Sequence, residues 1–569
     1  MRVLGVSNTW DSGAALIVDG RIVAAANEER FSRIKFDRTF PKKAIEFVLD
    51  TGGFDVDEID LVASGCWNGV DTVNTGPRLR ADVAEQVKQS GNPDVTARIV
   101  KERLDISERR DKEFSAQLMA GLASIGVGKD RVRFFDHHYT HAVSAWSPSG
   151  LDDALILTAD GRGDGRAVTL WQATRGSLEL VDMATELVSP GALYGHVTAS
   201  LGFTPWRHEG KVTGLAAYGQ KSGAYDLLSG NFGFDTTSKR LWSSIGELYS
   251  PFVSAELPTL YEKLGQHSRE DVAFGVQAVL EESLVGFLRW NIGRLGLEST
   301  NLCLAGGCVS NVKLNYELRR LDEVDNVYVF PHMGDGGLAL GAAMAATMEM
   351  TGKPMVPMPT AYLGPEYSDK QIETILQRSN FEYSKLDEDE LPRIVADLLS
   401  NNMVIGWFQG RMEVGPRALG ARSILASAAD SSINDTLNNR LDRTEFMPFA
   451  PVTIDKYAES CFSDWNQSEI ASQFMTMCYD CTPFLKQKCP AVVHVDNTAR
   501  PQVVFRDNSP RYYDVIEAYI EMTGNPSIIN TSFNHHEEPI VMSPEDAIRS
   551  LTNGNVDVLV AGRWMIHSR

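Results

Sequence analysis

The chain is poor in cysteine, in histidine and in positive charge, and it has no long apolar run. Among 569 residues there are 7 cysteines and 11 histidines, and 54 Lys+Arg stand against 75 Asp+Glu, for a formal net charge of −21. The acidic balance argues against a nucleic-acid surface as the main function, because a phosphate backbone needs a net basic face. A local basic pocket for a small phosphorylated ligand stays open. No stretch reaches the roughly 18 apolar residues of a membrane span. The nearest candidate, LALGAAMAAT from Leu338, is short and made of small residues and reads as a buried helix. The opening MRVLGVSNTWDSG has neither a long apolar run nor a cleavage-type end, so it reads as no signal peptide and the expected location is cytoplasmic. An odd, scattered cysteine set fits reduced thiols. Cys478 and Cys481 form a C-x-x-C pair near Cys461 and Cys489, so zinc is conceivable. No second paired motif accompanies it, and buried, inert thiols are the better reading.

At this length two to four domains are expected. The N-terminal VLGVSNTWDSGAALIVDGRIVAAANEERFSRIK reads as strand, polar turn, then a hairpin closed by Asp-Gly. The pattern returns in DALILTADGRGDGRAVTLWQA, and two further Gly-rich turns follow apolar runs in LCLAGGCVSNVKLN and VYVFPHMGDGGLALGAAMAA. A duplicated α/β unit is the natural reading, with strand ends that present Gly, Ser, Asn and Asp to one cleft. Such turns let backbone N–H groups approach phosphates closely. This is how actin-like, hexokinase-like ATPase folds hold a nucleotide. TGKPMVPMPTAYLGPEYS then reads as a linker, and beyond it DELPRIVADLLSNN has helical spacing and MVIGWFQG reads as a strand entering a loop. The expected domains are 1–355 and 366–569.

Three histidines fall within five positions of DHHYTHAVSAW. On a helix His137 and His141 share a face, while His138 lies about 100° away. The spacing is common by accident. Its weight rises because Asp160 ends the LILTAD strand and Asp335 sits in a Gly-rich turn before a helix. Two imidazoles with two carboxylates suit a divalent ion of intermediate hardness, Fe²⁺, Mn²⁺ or Mg²⁺, better than structural zinc. Farther on, GWFQGRMEVGPRALGARSI carries Arg411, Arg417 and Arg422 among Gly410, Gly415 and Gly420. Pro416 rules out a continuous helix here. Guanidinium forks match phosphate oxygens, and Arg440, Arg443, Arg500 and NTSFN (Asn530–Asn534) could add to one small-dianion pocket.

Taken in order, ERFSRIK, HHYTHAVSA, TADGRGD, GKVTGLAAYG, AGGCVSN, GDGGLALGAA, GWFQGRMEVGPRALGARSI, PFAP, ARPQ and NTSFN resemble the nodulation and antibiotic O-carbamoyltransferases of natural-product pathways over nearly the whole chain. The resemblance implies a first domain like the threonylcarbamoyl-transferring ATPase-fold proteins. It implies a second like the domain that makes threonylcarbamoyl adenylate. The implied activity releases carbamate from carbamoyl phosphate in the second domain. In the first, ATP converts the carbamate to carbamoyl adenylate, and a hydroxyl or amine of a small-molecule acceptor displaces AMP. Carried over by position, His137, His141, Asp160 and Asp335 are the metal set, with Fe²⁺ favoured. Lys211, Gly306, Gly307, Asn311 and Gly336 fall to the nucleotide, and Arg411, Arg417, Arg422, Arg443, Arg500, Asn530 and Ser532 to carbamoyl phosphate, with Arg417, Asn530 and Ser532 closest to the chemistry. The partners implied are small molecules, neither nucleic acid nor membrane, and a homodimer is left open. The sequence departs from the family at Trp10, where a His is usual, and at Leu441 and Met447, aligned to a Lys and an Arg. A different adenylate-forming acyl transferase and a silent nucleotide-binding partner are therefore the alternatives. The acceptor itself is not readable, because acceptor pockets are built from variable loops such as the charged stretch RIVKERLDISERRDK.

Overall fold

The structure, a computed structural model, describes residues 1–567 apart from 70, 72, 74, 91, 175, 254–255, 356 and 444–445. The chain divides into two compact units, one of residues 1–22, 38–41 and 49–357, the other of residues 23–37, 42–48 and 358–569.

The first sheet is built of β1 (Arg2–Ser7), β2 (Gly13–Val18), β3 (Arg21–Asn27), β4 (Leu61–Ser64) and β5 (Val132–Phe134), of which β3 from residue 23 on is counted with the other unit. The turn between β2 and β3 places Asp19 and Gly20 at φ 50° and 77°, the primed geometry that the Asp-Gly pair predicts. The strand order is β3-β2-β1-β4-β5, with β1–β2 antiparallel and β1–β4 and β4–β5 parallel. A second sheet repeats this plan with β6 (Ala154–Gly163), β7 (Arg166–Thr174), β8 (Ser177–Thr185), β11 (Thr300–Ala305) and β12 (Val324–Val329). The intervening β9 (Phe232–Asp235) and β10 (Arg240–Ser243) form a separate hairpin. The order is β8-β7-β6-β11-β12, again with an antiparallel hairpin side and a parallel side. The same order of three antiparallel and two parallel strands, twice, is the duplicated unit that the recurring strand-turn pattern predicts.

LALGAAMAAT lies in helix Leu338–Thr351, whose first eleven residues are all buried. It packs so tightly on β1 that a Cβ on Gly5 would lie 1.8 Å from the carbonyl oxygen of Ala339. Among the described residues no helix is long and apolar enough to cross a membrane. The stretch RIVKERLDISERRDK is not a loop. It lies within one helix, Pro93–Ser124, started by the Asn92 side chain and held on its polar face by i,i+4 pairs such as Lys101–Asp105.

The second unit is built on an eight-stranded sheet. Its strands are β13 (Tyr383–Lys385), β14 (Ile405–Phe408), β15 (Arg422–Ser427), β16 (Ala450–Ile454), β19 (Gln502–Val504), β20 (Ile528–Ser532), β21 (Val558–Ala561) and β22 (Trp564–His567). β17 (Tyr479–Asp480) and β18 (Thr498–Ala499) pair apart. The order is β13-β22-β21-β14-β15-β20-β16-β19. Leu391, Val395 and Leu399 of helix Leu391–Ser400, at helical spacing, join Tyr512, Ile516 and Tyr519 of helix Pro510–Thr523 in the core over this sheet. Part of the expected linker is not a linker. Met358–Pro365 is bonded into this unit, with Gly364 N–H donating to Met412 O (2.8 Å) and Met412 N–H to Pro365 O (2.9 Å). The segment ERFSRIK also belongs here. Arg30 donates to Gly415 O (3.1 Å), and Arg33 donates to the carbonyls of Pro539 and Ile540 (2.8 and 2.7 Å).

Candidate functional site

In the first unit Asp136 caps helix His137–Trp146 by accepting from Tyr139 N–H (2.8 Å). The helix turns His137 and His141 the same way. Asp160 comes from β6 and Asp335 from the turn before helix Leu338–Thr351. His137 Nε2 and His141 Nε2 lie 3.4 and 3.2 Å from Asp160 Oδ2, and each lies 3.7 Å from Asp335 Oδ1. One donor atom from each of the four residues lies within 4.8 Å of the other three. The histidines are buried and the carboxylates nearly so, at 13 and 10% side-chain exposure. With neutral imidazoles, four sets of lone pairs converge on one point, which only a cation or protons can offset. The donor set thus fits a divalent ion.

The protein's own charges show the same strain. Burial raises a carboxyl, but hydrogen bonds from His137 and His141 outweigh it and hold Asp160 well below the usual range. Burial and the neighbouring Asp160 charge push Asp335 up. For His137, burial would lower the pKa, yet Asp335, Asp160 and Asp164 outweigh it and raise it to about 9. His138 is unlike its neighbours, as its place on the helix predicts. Its Nε2–H donates to Arg166 O (3.1 Å), and Nδ1 accepts from the Thr158 hydroxyl (2.6 Å). That tautomer follows from the hydrogen-bond network.

The Gly-rich turns flank this cluster. Gly306 sits at φ 97°, where a Cβ would lie 2.3 Å from Ala159 O, so the turn can pass β6 only as glycine. A Cβ on Gly307 would lie 2.9 Å from Asp160 Oδ1, and one on Gly336 2.3 Å from the His332 ring. Gly306, Gly307 and Gly336 are thus brought beside the carboxylates. Asn311 lies in a neighbouring polar network. The Asn311 side chain caps helix Val312–Arg319 by accepting from Lys313 and Leu314 N–H (3.2 and 3.1 Å), and its amide donates to Gln277 Oε1 (2.7 Å) and Thr213 Oγ1 (3.2 Å). Its polar atoms serve the fold. Lys211 is buried on helix Glu209–Ala216, half a turn from Thr213. Sequence reading missed Asp164. Its carboxylate accepts from His137 N–H (2.9 Å) and from Asn68 and Gly69 N–H (2.7 and 3.0 Å), fixing the start of the histidine helix. Burial and then the Asp136 charge raise it to about 7. Its place in the Gly-rich TADGRGDG turn was the available signal.

In the second unit the arginines divide. Arg422 is fully buried, and its Nη atoms donate to Gln409 O, Gly410 O, Ala421 O and Pro365 O at 2.9–3.2 Å over the Phe408 ring. Burial lowers its pKa to about 10. Arg411 donates to Val23 O (3.0 Å), Leu363 O (2.7 Å) and Gly364 O (3.4 Å). Both hold the loop: their donors are used on main-chain carbonyls. Glu413, also missed from sequence, accepts Leu419, Ala421 and Arg422 N–H and shapes the same loop. Asn530 on β20 donates to Ala418 O (3.2 Å) and Gln502 Oε1 (2.7 Å), so β20 is tied to the residue next to Arg417. Among the described residues its buried Oδ1 has no hydrogen-bond partner. Arg443 donates to Thr531 Oγ1 (2.8 Å), Ser532 Oγ (3.1 Å) and Asn534 Oδ1 (2.8 Å), which joins it to Ser532. Arg417, Arg500 and Ser532 are half-buried. Arg440 instead pairs with Asp557 (2.9 Å), and Leu441 is wholly buried. All seven cysteines are free thiols, and among the described residues none joins a cluster of ligating groups.

The duplicated sheets, with the His/Asp cluster and Gly-rich turns at their strand ends, give the mixed α/β architecture of the actin-like, hexokinase-like folds, carrying a second α/β unit. Residues 2–344 match the family model described as Carbamoyltransferase N-terminus, and residues 396–568 that described as Carbamoyltransferase C-terminus. The chain belongs to the carbamoyltransferase family and is a transferase. It is 31% identical over 628 residues to the uncharacterized protein sll1178 of Synechocystis, covering 99% of this chain and 96% of that one. It is 31% identical over 583 residues to nodulation protein NolNO of Sinorhizobium fredii, covering 100% of this chain and 80% of that one. With nodulation protein U of the same species it is 26% identical over 566 residues, covering 94% of each.

Proposed function

We propose that the protein is an ATP- and divalent-metal-dependent carbamoyltransferase that acts on a hydroxyl or amine of a small-molecule natural product. In this reading the second unit hydrolyses carbamoyl phosphate to carbamate and phosphate. The first unit joins carbamate to the α-phosphate of ATP, releasing pyrophosphate. The acceptor oxygen or nitrogen then attacks the carbamoyl carbon, loses its proton, and AMP departs. Carbamate is labile in water, so buried groups around it have a purpose beyond affinity.

The observation that carries this reading is the convergence of His137, His141, Asp160 and Asp335 beside Gly306, Gly307 and Gly336. When bound there, a divalent ion, Fe²⁺ by preference or Mg²⁺ or Mn²⁺, neutralises charge on phosphate oxygens. The chain's own residues do the rest. Asp164 and the Asp136 cap orient the histidine helix, and the glycines let the nucleotide's phosphates reach main-chain N–H groups. In the second unit Arg417, Arg443 and Arg500 face the dianion, with Asn530 and Ser532 hydrogen-bonding its carbamoyl end. The test is AMP and pyrophosphate release from ATP and carbamoyl phosphate, with and without a chelator. Absence of both products under every metal would refute the reading.

Buried Leu441, where the family carries a cation, favours one alternative: another small acid as donor. That version predicts AMP with the other acid and none with carbamoyl phosphate.

A further inference from the structure

Beside the metal-type cluster stands a group of residues that the reaction above does not use. The Arg38 guanidinium lies over the Trp10 ring, 3.1 Å from its centroid. Trp10 and Trp206 are 6.4 Å apart at 41°. Both tryptophans border the turns that carry the carboxylates. A Cβ on Gly161, the residue after Asp160, would lie 2.7 Å from the Trp206 ring. One on Gly336, the residue after Asp335, would lie 2.6 Å from Asp11 Oδ2, next to Trp10.

Two features of the group call for a ligand. Trp206 sits at φ 67°, a left-handed conformation that strains a bulky residue. It is held there while its N–H donates to Glu209 Oε1 (2.6 Å), and the indole so positioned is 37% exposed. Arg38 is the second. Stacking fixes its plane yet consumes none of its N–H donors, and among the described residues it makes no hydrogen bond or ion pair. Burial, then the charges of Arg207 and Arg110, push its pKa down.

We propose that Trp10, Trp206 and Arg38 form the acceptor subsite, and that the acceptor is a hydroxyl compound with one flat face and one anionic group, such as a sugar phosphate or an aromatic carboxylate. The proposal rests on the carbamoyl-transfer reading above. The indoles take the flat face, Arg38 takes the anion with Arg207 and Arg110 adding attraction, and the hydroxyl is left toward the turns of Asp160 and Asp335. A neutral or cationic acceptor would leave the Arg38 guanidinium without an anion.

The test uses the full-length protein saturated with AMP and two matched probe pairs: glucose 6-phosphate against glucose, and 4-hydroxybenzoate against 4-hydroxybenzyl alcohol. Binding is read by calorimetry and tryptophan fluorescence. At least one anionic probe is expected to bind about tenfold or more tightly than its neutral partner, a difference of about 1.4 kcal/mol. Arg38→Gln should erase that preference without moving the AMP affinity. Trp206→Gly, which removes the left-handed strain, should lose the probe while keeping or raising the melting temperature. Equal binding within both pairs, or no binding of either anion, overturns the proposal. So does an Arg38→Gln variant whose AMP or ATP affinity falls as far as its probe affinity, because the guanidinium would then serve the nucleotide. Pyrophosphate release from ATP and carbamoyl phosphate is measured alongside. Its absence in the wild type would reject the carbamoyl-transfer reading, whereas the anion preference is read from binding alone.

Discussion

The histidine cluster of the first unit and the arginine loop of the second both gather charged side chains around glycine, yet they solve opposite problems. His137, His141, Asp160 and Asp335 direct four acceptors at one point and leave them to be answered from outside the chain. Arg422 and Arg411 direct their donors at carbonyls of their own unit and are already answered. What a charged residue does therefore depends less on its type than on whether the fold satisfies it. His138 makes the point within a single helix. It is flanked by two convergent imidazoles, but its own nitrogens are both engaged.

The contrast breaks most visibly at Asp160. Asp160→Asn keeps the shape and removes the charge that both histidines share. Pyrophosphate release should fall at least ~10³-fold, since a bound ion's charge stabilisation amounts to several kcal/mol, and metal content by elemental analysis should drop with it. The melting temperature should hold or fall, because the charge that His137 and His141 stabilise in the fold is removed. Next in size is Arg422→Met. It should cost stability rather than chemistry, about 3 kcal/mol by urea unfolding, because four carbonyls lose a buried partner. An unfolded-state shift without change in that variant's KM for carbamoyl phosphate would confirm that the guanidinium is a brace. If stability is unchanged and KM rises, the contrast fails.

The satisfied histidines carry a pH signature of intermediate size. Burial holds His138 neutral well below its ordinary range and lowers His196 to about 4. Both folded pKa values lie below the unfolded value, 6.5. Their contribution to stability is thus complete above pH 6.5 and declines as pH falls toward the folded values, by up to ~1.4 kcal/mol per pH unit for each group. His196→Gln should flatten the loss measured between pH 6.5 and 5 by about one proton. An unchanged slope would show that His196 takes up its proton in the native state.

Much of the first site was legible because its signals are local. H-x-x-x-H on a helix, an Asp at a strand end and glycines after apolar runs each follow from backbone periodicity. The roles of Arg411 and Arg422 were not legible, because the carbonyls that satisfy them come from Val23, Leu363 and Pro365, far away in sequence. For the same reason ERFSRIK looked like part of the first domain: its partners, Gly415 and Pro539, lie hundreds of residues on. RIVKERLDISERRDK looked like a loop because its charges hide a helix that is mostly solvated. No propensity places Trp206 at a positive φ, because that angle is imposed by the surrounding structure.

The smallest expected effect tests how far the contrast reaches. Arg440 and Arg443 are three residues apart and both were candidates for the small-dianion pocket. Arg443 reaches Thr531, Ser532 and Asn534, whereas Arg440 ends on Asp557, with each side chain about 30% exposed. A half-exposed pair of this kind contributes ~0–1 kcal/mol. Arg440→Ala should therefore lower stability by no more than that and leave the KM for carbamoyl phosphate within about twofold, a difference of ~0.4 kcal/mol. Arg443→Ala should raise that KM by more. If Arg440→Ala raises it as much as Arg443→Ala, then a guanidinium whose charge is neutralised by a carboxylate of the protein still contributes to the dianion pocket, and a carboxylate partner is not what separates structural from functional cations in this unit.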